Sequence, residues 1–294
     1  MNEQGAHHRQ EGAVVGVVGA GTMGSGIALV CALAGYSVRL FDANAEMLQK
    51  ARQSMRKTLE RQAQKGKLDA AEIDSVAGRI AYVESDEAFG EAAYVIEAVF
   101  EDLAVKREVF RRLEEKTPVE ALFLTNTSSL SVTEIAHGMK RPERVAGLHF
   151  FNPPVVMPLV EVVKGEQTSE QTLHQTVAFA RSLGKEPVVS SDTPGFIVNR
   201  VARPFYNEAL RIVESGVARP EQVDRVLKAS GAFKMGPFEL QDLIGIDVNF
   251  ATTSSVFEQF FYEPRFRPSR LQRNMVRSGK LGRKAGKGFY DYES

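Results

Sequence analysis

The stretch VVGVVGAGTMGSGIA, residues 14–28, decides the fold. Its first five residues, Val14 to Val18, include four valines and read as a short buried strand. They run without a spacer into Gly19-Ala-Gly21-Thr-Met-Gly24, after which the apolar spacing turns helical. Glycines in that position permit a tight turn, let a pyrophosphate approach the backbone and allow the helix to pack closely. The N–H groups that open the helix then point at the phosphates. Gly19, Gly21, Thr22, Met23 and Gly24 are therefore expected to hold a dinucleotide. The next β-branched run, Ser37 to Phe41, ends at Asp42, where a carboxylate accepts hydrogen bonds from both hydroxyls of an adenosine ribose. That carboxylate repels a 2′-phosphate and Ala43 offers nothing to hold one, so NAD is expected in preference to NADP. FAD uses a similar first unit, but no flavin-specific feature follows.

Outward from this stretch the chain alternates short strands with helical patterns. Helices are expected over Gly21–Ala34, Ala45 to about Lys65 and Val105–Lys116. Strands are expected at Ile80–Val83, Tyr94–Glu97, Leu122–Thr125, Val145–Phe150, Val160–Val163 and Pro187–Val189. Strand–helix alternation of this kind predicts an α/β, Rossmann-type doubly wound and mostly parallel sheet. The alternation stops at Asp192-Thr-Pro-Gly-Phe. From Ile197 apolar residues recur at helical spacing, and breaks at Gly216–Pro220, Gly231–Pro237 and Pro264–Pro268 divide an all-α C-terminal domain. The expected organisation is a disordered tail over residues 1–12, a dinucleotide-binding domain over 13–191 and a helical domain over 192–294.

Composition narrows the function. Of 294 residues, 43% are hydrophobic and 25% charged, which suits a water-soluble chain with ordinary cores. Lysine plus arginine (37) equals aspartate plus glutamate (37), so no net field recruits nucleic acid or an anionic membrane. Cys31, the single cysteine, lies in an apolar helical stretch and reads as core, which excludes a disulfide scaffold and fits a reducing cytoplasm. No apolar run is long enough to span a bilayer, and residues 1–12 lack the hydrophobic segment of a signal peptide. His7 and His8 have no fixed further ligands, so no metal site is expected.

The reaction must come from polar residues at the carboxyl ends of later strands. Asn126-Thr-Ser128-Ser129 opens a loop after the strand at Leu122–Thr125 and offers amide and hydroxyl groups to nicotinamide or a substrate oxygen; a plain helix cap is the competing reading. His149 and Glu161 lie on segments separated by Asn152-Pro-Pro. If those segments pair antiparallel, residues whose numbers sum to 310 face one another, and Glu161 lies opposite His149. A carboxylate on one ring nitrogen fixes the tautomer and makes the other a better base, as proton removal from a secondary alcohol requires. Without that partner a satisfied core histidine is the ordinary reading. Asn199, in the first turns of the helix after Asp192-Thr-Pro-Gly-Phe, is a further polar candidate.

At these residues the chain resembles the 3-hydroxyacyl-CoA dehydrogenase family, and within it the short-chain, stand-alone 3-hydroxybutyryl-CoA dehydrogenases. The likeness runs from Val14 to Tyr292 and is carried in order by GAGTMGSGIA, LTNTSSLSVTEIA, GLHFFNPPVVMPLVEVV, DTPGFIVNR, MGPFEL and LGRKAGKGFYDY. The resemblance implies hydride transfer between NAD and the 3-carbon of an (S)-3-hydroxyacyl-CoA. It implies His149 as general acid/base, Glu161 as its orienting partner, and Ser128 and Asn199 as residues that position the substrate. It implies further that Glu101, Lys106, Asn126, Ser128, Asn152 and Lys284 touch NAD or line its pocket. Thr58 and Lys65 match positions used on CoA, with Arg56, Lys57, Arg61 and Lys67 as a basic neighbourhood for its phosphates. A homodimer through the helical domain is implied as well, and Phe257, Phe260, Phe261 and Tyr262 are either core or its face.

Two other readings remain at this level. A dehydrogenase of a free hydroxy acid or a sugar acid such as gulonate shares the glycine loop and the His/Glu pair but has no need of a CoA helix. A non-catalytic NAD-binding protein has no physical reason to keep Ser128, His149, Glu161 and Asn199 together.

Overall fold

The computed structural model describes residues 12–292, so the expected tail with His7 and His8 lies outside the described residues apart from Gly12. The chain divides between Thr193 and Pro194 into two compact units.

The first unit runs β1 (Val14–Val18), α1 (Thr22–Leu33), β2 (Ser37–Phe41), α2 (Ala45–Gln64), α3 (Ile73–Gly78), β3 (Ile80–Val83), β4 (Ala92–Glu97) and α4 (Leu103–Glu114). It continues through β5 (Leu122–Thr125), α5 (Val132–Ala136), β6 (Val145–Phe150), β7 (Leu159–Lys164), α6 (Glu170–Ser182) and β8 (Glu186–Ser191). Its eight strands form one sheet in the order β3-β2-β1-β4-β5-β6-β7-β8. All neighbours are parallel except β6 and β7, which pair antiparallel with Gly147 opposite Val163 and His149 opposite Glu161. Strands buried on both faces need continuous apolar sequence, and every residue of β1, β5 and β6 is buried. The order reverses between β1 and β4, and such a switch point opens a crevice at the carboxyl ends of the strands.

One element that a strand-by-strand reading passes over is α6, the crossover that lets β7 and β8 run parallel. Its buried face mixes Thr172 and Thr176 with Leu173, Phe179 and Ala180, which dilutes the apolar period. Cys31 is fully buried in α1, and burial pushes its thiol far above the usual range, so it acts as a small hydrophobe.

The second unit is helical: α7 (Val198–Glu214), α8 (Pro220–Gly231), α9 (Pro237–Ile244), α10 (Ile246–Gln259) and α11 (Arg270–Arg277). The expected single helical stretch between Pro237 and Pro264 is two helices, because Gly245 takes φ +107°, which ends α9 and starts α10. The final segment packs on two buried aspartates. Asp242 accepts from the N–H groups of Phe289 (3.0 Å) and Tyr290 (3.0 Å) and from the Tyr292 hydroxyl (3.0 Å). Asp224 accepts from the N–H groups of Phe238 (3.0 Å) and Glu239 (2.9 Å) and from the Tyr290 hydroxyl (2.7 Å). Among the described residues no helix is long and apolar enough to cross a membrane.

Candidate active site

The glycine loop is shaped by contacts that side chains would prevent. Gly19 has φ +100°, and a Cβ there would lie 2.5 Å from the Ala98 carbonyl oxygen; at Gly24 it would lie 1.8 Å from the carbonyl oxygen of Gly19. Gly21 differs, since a Cβ there would meet no protein atom within 4 Å and its φ is an ordinary −68°. Packing does not demand glycine at this position, whereas close approach of a pyrophosphate does. Side chains of Asn44, Asp102, Ser131, Ser169 and Ser269 cap α2, α4, α5, α6 and α11, but no side chain caps α1. These features fit a dinucleotide with its phosphates at the start of α1. At the end of β2, Asp42 accepts from Ala20 N–H (2.7 Å) and Asn44 N–H (2.9 Å), one bond to each oxygen. Each oxygen keeps a lone pair for a ribose hydroxyl.

Thr58 and Lys65 share a cleft of about 570 Å³ with Gly21, Thr22 and Asn152. Lys50, Arg61 and Lys67 also line it, so cations reach it from α2 and the turn beyond. Arg56 does not belong to this basic neighbourhood, because its guanidinium is held by Asp74 (2.6 Å) and Glu60 (3.4 Å). Lys185 fixes the opposite wall by donating to the carbonyl oxygens of Pro154 (2.6 Å) and Met157 (2.9 Å).

Glu101 and Lys106 meet at the carboxyl end of β4. The Lys106 ammonium, 1% exposed, lies 2.7 Å from Glu97 Oε1 and 3.1 Å from Glu101 Oε2. Glu101 Oε1 accepts from Thr127 Oγ1 (2.5 Å), Ser128 N (3.0 Å), Ser129 N (3.2 Å) and Ser129 Oγ (3.1 Å). Although burial works against it, Lys106 with the Thr127 and Ser128 donors holds the Glu101 carboxyl below the ordinary carboxylate range. The helix cap that competed for the Asn126–Ser129 cluster falls elsewhere: Ser131 caps α5 by accepting from Glu134 N–H (3.2 Å). Asp192 reaches across to the same turn and accepts from Ser131 Oγ (2.7 Å), Val132 N (3.1 Å) and Thr133 N (2.8 Å). Asn126 Oδ1 accepts from Phe150 N–H (2.9 Å), tying the end of β5 to that of β6 and leaving its amide N–H₂ as the group it can offer a ligand.

The register of β6 and β7 brings His149 Nδ1 to 2.7 Å from Glu161 Oε2, with the residues 6% and 1% exposed. The Phe151 ring packs against the imidazole at 4.6 Å between centroids. A carboxylate in this position fixes the imidazole with Nδ1 protonated and turns Nε2 into the basic nitrogen.

Asn199 and Lys284 belong to the second unit. Asn199 lies in the first turn of α7, where its backbone carbonyl accepts from Arg203 Nε (3.2 Å). Arg203 is 3% exposed and also donates to Asn249 and Thr253 of α10, and burial pulls its guanidinium down to about 10. Lys284 pairs with Asp247 at 2.7 Å.

Sequence reasoning gave no role of their own to Glu97, Asp192 and Lys185. Glu97 carries a readable signal, a charge closing the otherwise uncharged strand AAYVIE; the other two do not, because their partners are distant in sequence and mostly backbone groups.

A mostly parallel sheet with a switch point, a glycine loop opening the uncapped α1, an aspartate with spare lone pairs at the end of β2 and a buried His/Glu pair fit an NAD-dependent dehydrogenase. The family models agree: residues 14–193 match the 3-hydroxyacyl-CoA dehydrogenase NAD binding domain and residues 195–292 the 3-hydroxyacyl-CoA dehydrogenase C-terminal domain. The chain belongs to the 3-hydroxyacyl-CoA dehydrogenase family, NAD-dependent oxidoreductases that interconvert hydroxyacyl-CoA and oxoacyl-CoA. It is 49% identical over 280 residues to the 3-hydroxyadipyl-CoA dehydrogenase of Escherichia coli, covering 95% of this chain and 59% of that longer protein. It is 44% identical to a probable 3-hydroxybutyryl-CoA dehydrogenase of Bacillus subtilis, covering 94% of this chain and 96% of the relative. The crystal structure of (S)-3-hydroxybutyryl-CoA dehydrogenase from Ralstonia eutropha superposes with a TM-score of 0.91 at 38% identity, covering 96% of this chain and 99% of that one.

Proposed function

We propose that the chain interconverts (S)-3-hydroxybutyryl-CoA and acetoacetyl-CoA, with His149 as the general acid/base. The observation that carries this reading is the 2.7 Å contact between His149 Nδ1 and Glu161 Oε2 at the carboxyl end of the sheet. With Nδ1 held by the carboxylate, Nε2 takes the proton of the 3-hydroxyl and returns it to the ketone in reverse. Glu161 fixes the ring and stabilises the imidazolium that forms. NAD, when bound, supplies the hydride acceptor. Ser128 sits in the loop drawn onto Glu101 and orients the substrate oxygen, and Asn199 serves the thioester end. Thr58 and Lys65, with Arg61 and Lys67 beside them in the cleft, hold the phosphates and adenosine of CoA.

The four-carbon substrate follows the relatives that match this chain over nearly their whole length. The relative named for a six-carbon dicarboxylic thioester makes 3-hydroxyadipyl-CoA the competing substrate. Mixing the purified protein with NADH and either acetoacetyl-CoA or 3-oxoadipyl-CoA, with NADPH and free acetoacetate as controls, separates these readings. Loss of NADH absorbance with acetoacetyl-CoA at the higher kcat/KM is expected. Preference for the dicarboxylic thioester overturns the four-carbon reading, and turnover only with the free acid overturns the CoA reading.

We place the enzyme in the cytoplasm, in keeping with its single buried thiol. We also assign a homodimer through the helical unit, where Phe261 and Tyr262 are 91% and 65% exposed while Phe260 stacks on the buried Phe266. A monomeric mass in solution overturns this assembly.

A further inference from the structure

The buried ion cluster at the end of β4 contains one cation and two carboxylates. Glu97 is fully buried and lies between Val18 of β1 and Thr125 of β5 in the sheet. Its Oε1 accepts from Lys106 Nζ (2.7 Å) and Val99 N (2.8 Å), and its Oε2 accepts from Thr125 Oγ1 (2.7 Å). Thr125 Oγ1 itself accepts from Thr127 N (3.3 Å), so its hydroxyl proton is directed at the carboxylate. Burial pushes the Glu97 carboxyl upward, and against this the Lys106 ammonium, the Val99 N–H and the Thr125 hydroxyl all donate to its oxygens, the donor pattern that a carboxylate takes. Lys106 bridges both carboxylates, so the three groups together carry one net negative charge, and Glu101 is the member that faces the loop at Ser128.

The topology says which part of a dinucleotide meets that charge. Asp42 takes the adenosine end at β2, and the glycine loop takes the pyrophosphate at β1. The sheet order continues from β1 to β4 and β5, so the nicotinamide half extends over the turn that carries Glu101. Ala98, in that turn, lies directly against the glycine loop. The oxidised nicotinamide carries a positive charge and the reduced ring carries none.

We propose that Glu97 is a positioning residue that neutralises Lys106, so that the cluster presents one net negative charge to the nicotinamide and favours NAD+ over NADH. It rests on the dinucleotide reading above. The obvious alternative, that Glu97 only stabilises the sheet, predicts equal losses for both cofactor forms.

The test is the ratio of dissociation constants for NAD+ and NADH, measured by NADH fluorescence titration and by NAD+ competition at one pH. Glu97→Gln leaves Lys106 paired with Glu101 alone, and the ratio is expected to move against NAD+ by on the order of tenfold. The double variant Glu97→Gln with Lys106→Gln restores one net negative charge and is expected to return to the wild-type ratio, whatever its absolute affinities. An unchanged ratio in the single variant, or a double variant whose ratio departs from wild type, overturns the proposal. If the single variant does not fold, Lys106→Gln, which leaves two carboxylates and no cation, is expected to move the ratio toward NAD+, and an unchanged ratio there overturns the proposal. Wild-type protein that fails to bind NADH overturns the dinucleotide reading itself, and this inference with it.

Discussion

Two buried carboxylates of the first unit, Glu97 and Glu161, and two of the second, Asp224 and Asp242, have partners that differ in kind. In the first unit Glu161 faces the imidazole of His149 and Glu97 faces the ammonium of Lys106, groups that change or carry charge. In the second unit Asp224 and Asp242 accept from backbone N–H groups and tyrosine hydroxyls. Burial together with Asp224 pushes the Tyr290 hydroxyl far above its usual range, so that bond holds its proton at any working pH. A carboxylate facing a titratable or cationic side chain tunes chemistry, and one saturated by fixed donors anchors chain. Substitutions in the two sets should therefore fail differently, the first in turnover or binding and the second in stability.

The largest expected effect sharpens the first half of that contrast. His149→Gln keeps the ring's volume approximately and a polar group opposite Glu161 but removes the proton acceptor, so kcat should fall by about a hundred- to ten-thousand-fold. NADH affinity, read by fluorescence, should stay near the wild-type value, because the cofactor groups named above lie on other elements. A rate within a few fold of wild type removes His149 from the chemistry.

The opposite half is tested by Asp242→Ala. The aspartate is 1% exposed, and its loss takes the acceptor from two backbone N–H groups and one hydroxyl in partly buried surroundings. Each stranded group costs about 1–3 kcal/mol and partial relaxation recovers some of it, so a loss of about 3 kcal/mol is expected. Thermal denaturation should show a lowered Tm, while the ratio of NAD+ to NADH affinities in the folded protein stays unchanged. A full Tm with impaired catalysis would break the comparison by giving Asp242 a part in the chemistry.

How far the sequence discloses each set follows from the range of the interactions. The glycine loop, Asp42 and the strands beside them are local patterns, legible because a strand, a turn and a helix follow within a few residues. The His149–Glu161 contact is also legible, since the two segments are near in sequence and an antiparallel pairing whose residue numbers sum to 310 sets one side chain opposite the other. Asp192 on the turn at Ser131 and Lys185 on the carbonyls of Pro154 and Met157 are not, because their partners are distant in sequence and mostly backbone groups, which leave no residue-type signal at the other end. Gly245 was hidden for another reason. An isolated glycine in a helical pattern is read as tolerated, and only its φ of +107° shows the chain turning there.

Asp42→Ala sits between the two sets. Its carboxylate anchors the turn through Ala20 and Asn44 and keeps lone pairs for a ribose. NADH affinity should fall at least about tenfold, the value of one hydrogen bond to a charged acceptor at the low end of its range, and the preference over NADPH should narrow. A change in Tm without a change in affinity would move Asp42 to the anchoring class.

The smallest expected effect concerns the CoA helix. Thr58 Oγ1 donates to the Ser54 carbonyl of its own helix (2.9 Å), so the hydroxyl proton is occupied and only acceptor capacity remains for a ligand. A group with that limited offer, on an exposed helix face, is expected to contribute little beside Lys65, Arg61 and Lys67, which bring full charges to the same cleft. Thr58→Ala should raise the KM for acetoacetyl-CoA by about threefold with kcat unchanged, the pattern of binding energy shared equally by ground and transition states. Lys65→Ala should raise it further and make it less sensitive to salt, since an ionic contact has been removed. If neither variant alters KM, α2 is a solvated face, and CoA recognition has to be sought on other walls of the cleft.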